Sequence, residues 1–237
     1  MKPIANILWW PGTNCHHETM YAFELVGAKP HLSLINRLIS GKENLYECDI
    51  LFFPGGFSRG DHIRAAAIPA IEMQYRLGDQ LQRVIERGIP IGGSCNGFQI
   101  MACLGLFNNE IGNPKVLLDM NKSATFEHWW KIAVYLHHHP GCPWTDGLDG
   151  MRIVMPSAHG EGLVVGAPGE QIWKVAATYG SPEGVTDYPK SPNGGKVAGI
   201  CYRNYFAAMP HFERALFDQG GKPHGLLVFE AAVRSVR

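Results

Sequence analysis

Gly88-Ile89-Pro90-Ile91-Gly92-Gly93-Ser94-Cys95-Asn96-Gly97-Phe98-Gln99-Ile100-Met101-Ala102-Cys103-Leu104-Gly105 joins a short apolar strand to a helix through a tight corner. Ile89 to Ile91 reads as the strand, small residues follow, and Phe98, Met101, Ala102 and Gly105 recur at helical spacing. Cys95 therefore stands at the strand-to-helix corner. Gly93-Ser94-Cys95-Asn96-Gly97 has the G-x-nucleophile-x-G form of a nucleophile elbow, with sulfur in place of the hydroxyl. Its glycines let neighbouring backbone pass close to a strained residue. A thiol at a helix N-terminus also feels the positive end of the helix dipole, which raises its thiolate fraction. The competing reading is a buried cysteine serving as a small hydrophobe. This window alone leaves both open.

The rest of the chain reads as an α/β protein with a mostly parallel open sheet. Ile4 to Trp10 is a continuous apolar run stopped by Pro11-Gly12, the pattern of a strand buried on both faces. A turn through Thr13, Asn14 and Cys15 leads to a helix from about His17 to Val26, ended by Gly27, with Thr13 or Asn14 the expected N-cap. Pro30 to Ile35 and Asp49 to Phe53 supply two more strands, the second followed by the glycine turn Pro54 to Asp61. Loops at the carboxyl ends of parallel strands bind ligands, which places this turn and Cys95 on one sheet edge. Its backbone N–H groups are suited to an anion or oxyanion. The turn is too short, and lacks the lysine, for a G-x-x-x-x-G-K phosphate loop.

Arg64 to Arg87 is helical with Pro69 marking a kink or a late start. Phe107 to Lys122 is polar and turn-rich. Strands are expected at Lys131 to Leu136, Arg152 to Ser157, Ile172 to Ala177, Val197 to Cys201 and Phe206 to Met209, and a last helix at Leu226 to Val233. The loop Tyr188 to Gly195 separates two of these strands. His137-His138-His139 resembles a metal cluster, but neighbouring histidines of an extended chain face opposite ways, and no metal site is expected there. His211 and Glu213, two apart in an extended segment, project together.

Composition bounds the function. The 237 residues suit one domain, spanning 1–237. Twenty-one basic and twenty-one acidic residues cancel, so no electrostatic footprint for nucleic acid or a membrane surface is present. Six cysteines at irregular spacing, with no C-x-x-C pair, read as thiols of a reducing compartment. With no apolar run approaching a membrane span, a cytoplasmic protein is expected.

An elbow cysteine, a histidine with a carboxylate two residues on, and a glycine loop after another strand are together the parts of thiol acyl transfer. Jointly they resemble the class I (triad) glutamine amidotransferases, with the flavodoxin-like fold of that class. Within it the chain is most similar to the glutaminase-subunit family of phosphoribosylformylglycinamidine synthase. The carrying motifs are Pro-Gly-Thr-Asn-Cys (11–15), Gly-Gly-Phe-Ser-Arg-Gly-Asp (55–61), Cys-Asn-Gly-Phe-Gln (95–99), His-Gly-Glu-Gly (159–162), Ser-Pro-Asn-Gly (191–194) and Met-Pro-His-Phe-Glu-Arg-Ala (209–215).

The resemblance implies Cys95 as nucleophile, His211 as base and acid, and Glu213 as the orienting carboxylate. It implies Gly56 and Asn96 N–H groups as an oxyanion hole, and Phe57, Gln99, Gly160 and Glu161 as the glutamine site. It further implies that the ammonia passes to a synthetase subunit carrying ATP and magnesium, with a small bridging subunit as a possible third partner, and that this chain needs no cofactor. Phe212 departs from the usual proline, Arg59 from a tyrosine and His128 from an arginine, and Ser191 and Gly195 alter the Asn-Pro-Asn-Gly-Ser pattern. The alternatives are an amidotransferase serving another synthetase, a stand-alone cysteine hydrolase or isomerase, and a non-catalytic subunit of the same fold.

Overall fold

Continuous apolar runs become the interior strands of the computed structural model, which describes residues 1–167, 169, 171–180 and 191–237. The strands are β1 (Ile4–Trp9), β2 (Lys29–Leu34), β3 (Ile50–Phe53), β4 (Ile91–Ser94), β5 (Val116–Met120), β6 (Glu127–Leu136), β7 (Arg152–His159), β8 (Glu161–Gly166), β9 (Lys174–Gly180), β10 (Val197–Tyr202) and β11 (Tyr205–Ala208). The helices are α1 (His16–Leu25), α2 (Ile35–Ile39), α3 (Ala67–Glu86), α4 (Asn96–Leu104) and α5 (Leu226–Arg234).

The main sheet has the order β2-β1-β3-β4-β11-β10-β9-β6-β7, and β5 pairs with β8 in a small second sheet. From β2 to β11 every pairing is parallel, and from β11 to β7 every pairing is antiparallel. Only β10 and β6 therefore oppose the common direction of the main sheet, which keeps its character mostly parallel.

Alternation along the strands explains why their sequences look uniformly apolar. Ala5, Ile7, Ile50, Phe52, Phe206 and Ala208 face one side and pack with Ala22 and Phe23 of α1 and Val228 and Phe229 of α5. Leu8, Leu51, Phe53, Ile91, Tyr205 and Ala207 face the other side, under Met73, Leu77 and Leu81 of α3 and Phe98 and Met101 of α4. Both faces are covered, so neither parity can be polar. No helix among the described residues is long and apolar enough to cross a membrane.

Several expectations shift. The strand before Cys95 is Ile91–Ser94, not Ile89–Ile91, because Gly92 and Gly93 continue the ladder between β3 and β11. Helix α1 is N-capped by Cys15 with no side-chain cap bond. The Thr13 hydroxyl is instead spent on Trp10 N (3.1 Å) and Ser58 Oγ (3.1 Å). Pro69 marks a late start rather than a kink, since it falls in the first turn of α3, where the missing N–H costs nothing. Strands β5 and β8, unread in the sequence, form a pair apart from the main sheet. Residues 188–190 of the expected loop lie outside the described residues.

Candidate active site

The loops that follow β1, β3, β4 and β11 leave the same edge of the sheet, because these strands are parallel neighbours. Cys95 follows β4 and N-caps α4 with φ +50° and ψ −112°, a backbone state that costs about 1–3 kcal/mol and needs support. Support comes from Cys95 N donating to Ala208 O (2.8 Å) and Gln99 N donating to Cys95 O (3.2 Å). The corner is also jammed against β3: a Cβ at Gly97 would lie 1.8 Å from Phe53 O. No side chain fits there. Cys95 itself is 6% exposed, with Sγ 3.4 Å from Ala158 O.

His211 and Glu213 are brought to this corner by β11. A 3-10 turn over Phe212–Arg214 connects them, in place of the expected extended segment, and folds the carboxylate onto the ring. His211 Nδ1 lies 2.7 Å from Glu213 Oε1, and both residues are buried, at 3% and 2% exposure. Nδ1–H donates to a carboxylate that can only accept, which leaves Nε2 as the nitrogen that takes up and gives back a proton. Ser94 Oγ donates to the same Oε1 (3.2 Å). Burial works against the imidazolium, but the Glu213 carboxylate and then the Cys95 sulfur outweigh it and raise His211 well above the ordinary histidine value. Burial likewise works against ionised Glu213, and the His211 charge and hydrogen bond hold it below the usual carboxylate range. The two shifts agree on an ion pair.

Cys15 is a neighbour that the sequence marked only as part of a motif. Its Sγ is 3.8 Å from His211 Nδ1 and 3.1 Å from Asn14 Oδ1, and burial pushes its thiol up, so it stays protonated. Among the described residues, Cys15, His211 and Glu213 are the compact group with the chemistry of metal ligands, their atoms within 4.8 Å of one another. The imidazole and carboxylate of that group are spent on each other. His137 and His139 are spent on β9, with Nε2 atoms 2.9 Å from Thr178 Oγ1 and 2.8 Å from Val175 O.

Gly56 follows Gly55, where a Cβ would lie 3.3 Å from Cys95 Cβ and 2.9 Å from His211 Cε1; Gly56 has φ +148°, and a Cβ there would meet Asn14 N and Gly12 O at 2.7 Å. Only glycine passes. Asn96 is the first residue of α4, so its N–H is one of the first-turn donors without a partner inside the helix. Gln99 Nε2 donates to Glu161 O (2.6 Å), while its Oε1 accepts from Asn96 Nδ2 (3.0 Å). Asn96 Oδ1 in turn accepts from Ser58 N (3.1 Å), and Glu161 Oε1 accepts from Ala65 N (3.1 Å). Phe57 is half exposed on the rim, its ring 6.2 Å from that of Phe126. The residues read from the sequence as nucleophile, base, carboxylate, oxyanion donors and glutamine contacts thus share one rim. A cavity lined by Arg87, His138, Asn204 and Arg234 opens instead at the amino-terminal edge of β4 and β11, away from this chemistry.

The departures leave the triad geometry alone. Phe212 is buried and its ring packs 5.8 Å from Phe206. Arg59 folds back onto α3 through Glu72, with Nη2 2.8 Å from Oε1, and Trp10 Nε1 donates to the same carboxylate (3.1 Å). Ser191 Oγ donates to Gly195 O (2.6 Å), closing its own loop, and His128 is exposed on β6. Sequence reasoning missed Asn121 and Tyr179, which lie behind the β7–β8 turn, because nothing local distinguishes a buried amide or phenol from an ordinary strand residue.

A thiol with an acid–base imidazole, a charged carboxylate behind it and backbone donors in front can cleave an amide through a thioester. Residues 2–223 match the family model described as CobB/CobQ-like glutamine amidotransferase domain. The chain is similar to "Phosphoribosylformylglycinamidine synthase subunit PurQ" of Dehalococcoides mccartyi, 39% identical over 219 residues covering 88% of this chain and 84% of that one. It is 30% identical to the protein of the same description from Thermotoga maritima, over the whole of both chains. Among solved structures it is similar to a chain of "Structure of PurLQS from Thermotoga maritima", with TM-score 0.80, 29% identity and full coverage of both chains.

Proposed function

Because the chain belongs to the CobB/CobQ-like glutamine amidotransferase domain family and, within it, to the PurQ subunits of phosphoribosylformylglycinamidine synthase, we propose that its site works as follows. The chain is the glutaminase that supplies ammonia for converting formylglycinamide ribonucleotide to formylglycinamidine ribonucleotide in purine biosynthesis. Cys95 gives its proton to His211 Nε2 and adds as thiolate to the side-chain amide carbon of glutamine. The tetrahedral oxyanion is held by the N–H groups of Gly56 and Asn96. His211 then returns the proton to the leaving nitrogen, ammonia departs and a thioester remains. Water, deprotonated by the same imidazole, adds to the thioester and releases glutamate.

Glu213 keeps the ring in the tautomer that presents Nε2 and stabilises its cation. Gln99 and the turn at Gly160 and Glu161 hold the α-amino and carboxylate groups of glutamine, and Phe57 completes the glutamine site. The ammonia passes to a synthetase subunit, which holds ATP and magnesium, and a small third subunit bridges the two. The complex works in the cytoplasm. The observation that carries this reading is the buried His211–Glu213 contact of 2.7 Å beside the Cys95 corner. Its test is reaction of the complex with a glutamine-like chloroketone followed by peptide mass spectrometry. Adduct on Cys95 supports it; adduct chiefly on Cys15 or Cys103 overturns it.

A further inference from the structure

Behind the turn that joins β7 to β8 lies Asn121, the residue after β5, with 2% of its surface exposed. Its backbone N–H donates to Gly160 O (2.8 Å). Its Nδ2 donates to His159 O (2.7 Å) and to Thr125 O (3.1 Å). Its Oδ1 is 2.9 Å from His159 Nδ1. With the amide nitrogen spent on two carbonyls, Oδ1 can only accept, so the proton of His159 sits on Nδ1. His159 Nε2 is then the acceptor, 3.4 Å from the hydroxyl of buried Tyr179. Burial, followed by the charge of His211, holds His159 down at about 4, so the ring is neutral at physiological pH. It is a strut, not a second base.

The strut bears directly on the substrate rim. A Cβ at Gly162 would lie 2.4 Å from the His159 ring, so ring and turn move together. On the far side, Glu161 O receives Gln99 Nε2, and the chain continues through Asn96 to Ser58 beside the Gly56 loop. Asn193 Nδ2 holds Gly162 O (2.8 Å) from the other end. The Cys95 backbone, by contrast, is held by Ala208 and Gln99 and owes nothing directly to Asn121.

We infer that Asn121 is a positioning residue for glutamine: by fixing the carbonyls of His159 and Gly160 and the tautomer of His159, it sets the Gly160–Glu161 turn against Cys95 without touching substrate. This rests on the glutaminase reading above, in which that turn holds the substrate's α-amino and carboxylate groups. Removing the side-chain amide leaves the buried His159 carbonyl without its donor and His159 Nδ1 without its acceptor, and lets the turn slip although the backbone N–H still reaches Gly160 O, while the nucleophile stays in place.

The experiment compares wild type, Asn121→Ala and Asn121→Asp in the synthetase complex. The apparent KM for glutamine should rise about tenfold or more, with kcat within about threefold. Labelling of Cys95 by a glutamine-like chloroketone should slow by a similar factor. Alkylation of Cys95 by iodoacetamide, which needs the thiol but not the turn, should keep its wild-type rate. An unchanged KM, or a parallel fall of kcat and iodoacetamide alkylation, overturns the inference and leaves the glutaminase reading standing. A wild-type complex without glutamine turnover overturns both. Imidazole nitrogen chemical shifts of wild-type His159 provide a check that requires no variant: an Nδ1–H tautomer supports the clamp, and an Nε2–H tautomer contradicts it.

Discussion

Replacing Glu213 by Gln removes one charge from a buried pair while leaving its shape. The contact is 2.7 Å and both side chains are almost wholly buried. Taking charge centres roughly 4 Å apart and an effective dielectric of about 20, the imidazolium loses about 4 kcal/mol of stabilisation, or about a thousandfold in rate wherever that cation is developed. Neither amide orientation repairs the loss. With its oxygen on His211, the amide nitrogen falls where Glu213 Oε2 now has no partner among the described residues, a buried donor unpaired. Turned round, it meets Nδ1–H donor to donor and forces the proton onto Nε2.

The pH dependence follows from the same pair. His211 lies above its ordinary value of 6.5, so the stability its charged form contributes is complete below the unfolded value and lost as pH rises through the elevated folded one. Glu213 lies below its ordinary value of 4.5, so its contribution is complete above the unfolded value and lost as pH falls through the depressed one. In Glu213→Gln the largest influence holding the imidazolium is gone, leaving burial opposed only by the Cys95 and Cys15 sulfurs, and the imidazolium is lost at lower pH. Glutamate release by the complex, measured from neutral to alkaline pH, should show kcat down about a thousandfold and the alkaline limb moved to lower pH. A kcat within about tenfold of wild type with an unmoved alkaline limb would refute the assigned role of Glu213.

His211→Ala should depress kcat at saturating glutamine, whereas His159→Ala should act mainly on KM, and steady-state kinetics showing the reverse would mean that the base is wrongly placed. Gly97→Ala drives a methyl to 1.8 Å from Phe53 O and should cost about 3 kcal/mol of stability, read as a lowered thermal midpoint; an unchanged midpoint contradicts the close approach. The chain alone should turn over glutamine about a hundredfold more slowly than its complex with synthetase and nucleotide substrates, since one misdirected oxyanion donor costs that much. Equal turnover in both states would exclude partner activation.

What the sequence disclosed was whatever local chemistry dictates. Strands β1 and β3 read as apolar runs because both their faces are covered, and the Cys95 corner showed itself because a residue held at positive φ in a strand–helix turn needs small neighbours. Strand β8, with Glu161 and two glycines, and β5, which ends in Asp119 and Met120, carry too little apolar periodicity to stand out. The start of β6 at Glu127 was hidden for the same reason, its first residues being largely exposed. The N-cap of α1 was misread because the Thr13 hydroxyl had long-range work at Ser58 that no local rule foretells. His211 and Glu213 were paired correctly by spacing, but through a turn rather than a strand. Contacts between distant residues, such as Cys15 with His211 and Asn121 with His159, left no local trace and needed the fold.

The central claim, that Cys95 is the nucleophile releasing ammonia for a separate synthetase, is tested most directly by Cys95→Ala in the complex, assayed with glutamine and with added ammonia as alternative nitrogen sources. Glutamine-dependent synthesis should vanish while ammonia-dependent synthesis keeps its wild-type rate. Persistence of the glutamine-dependent reaction, or loss of both, would contradict the account.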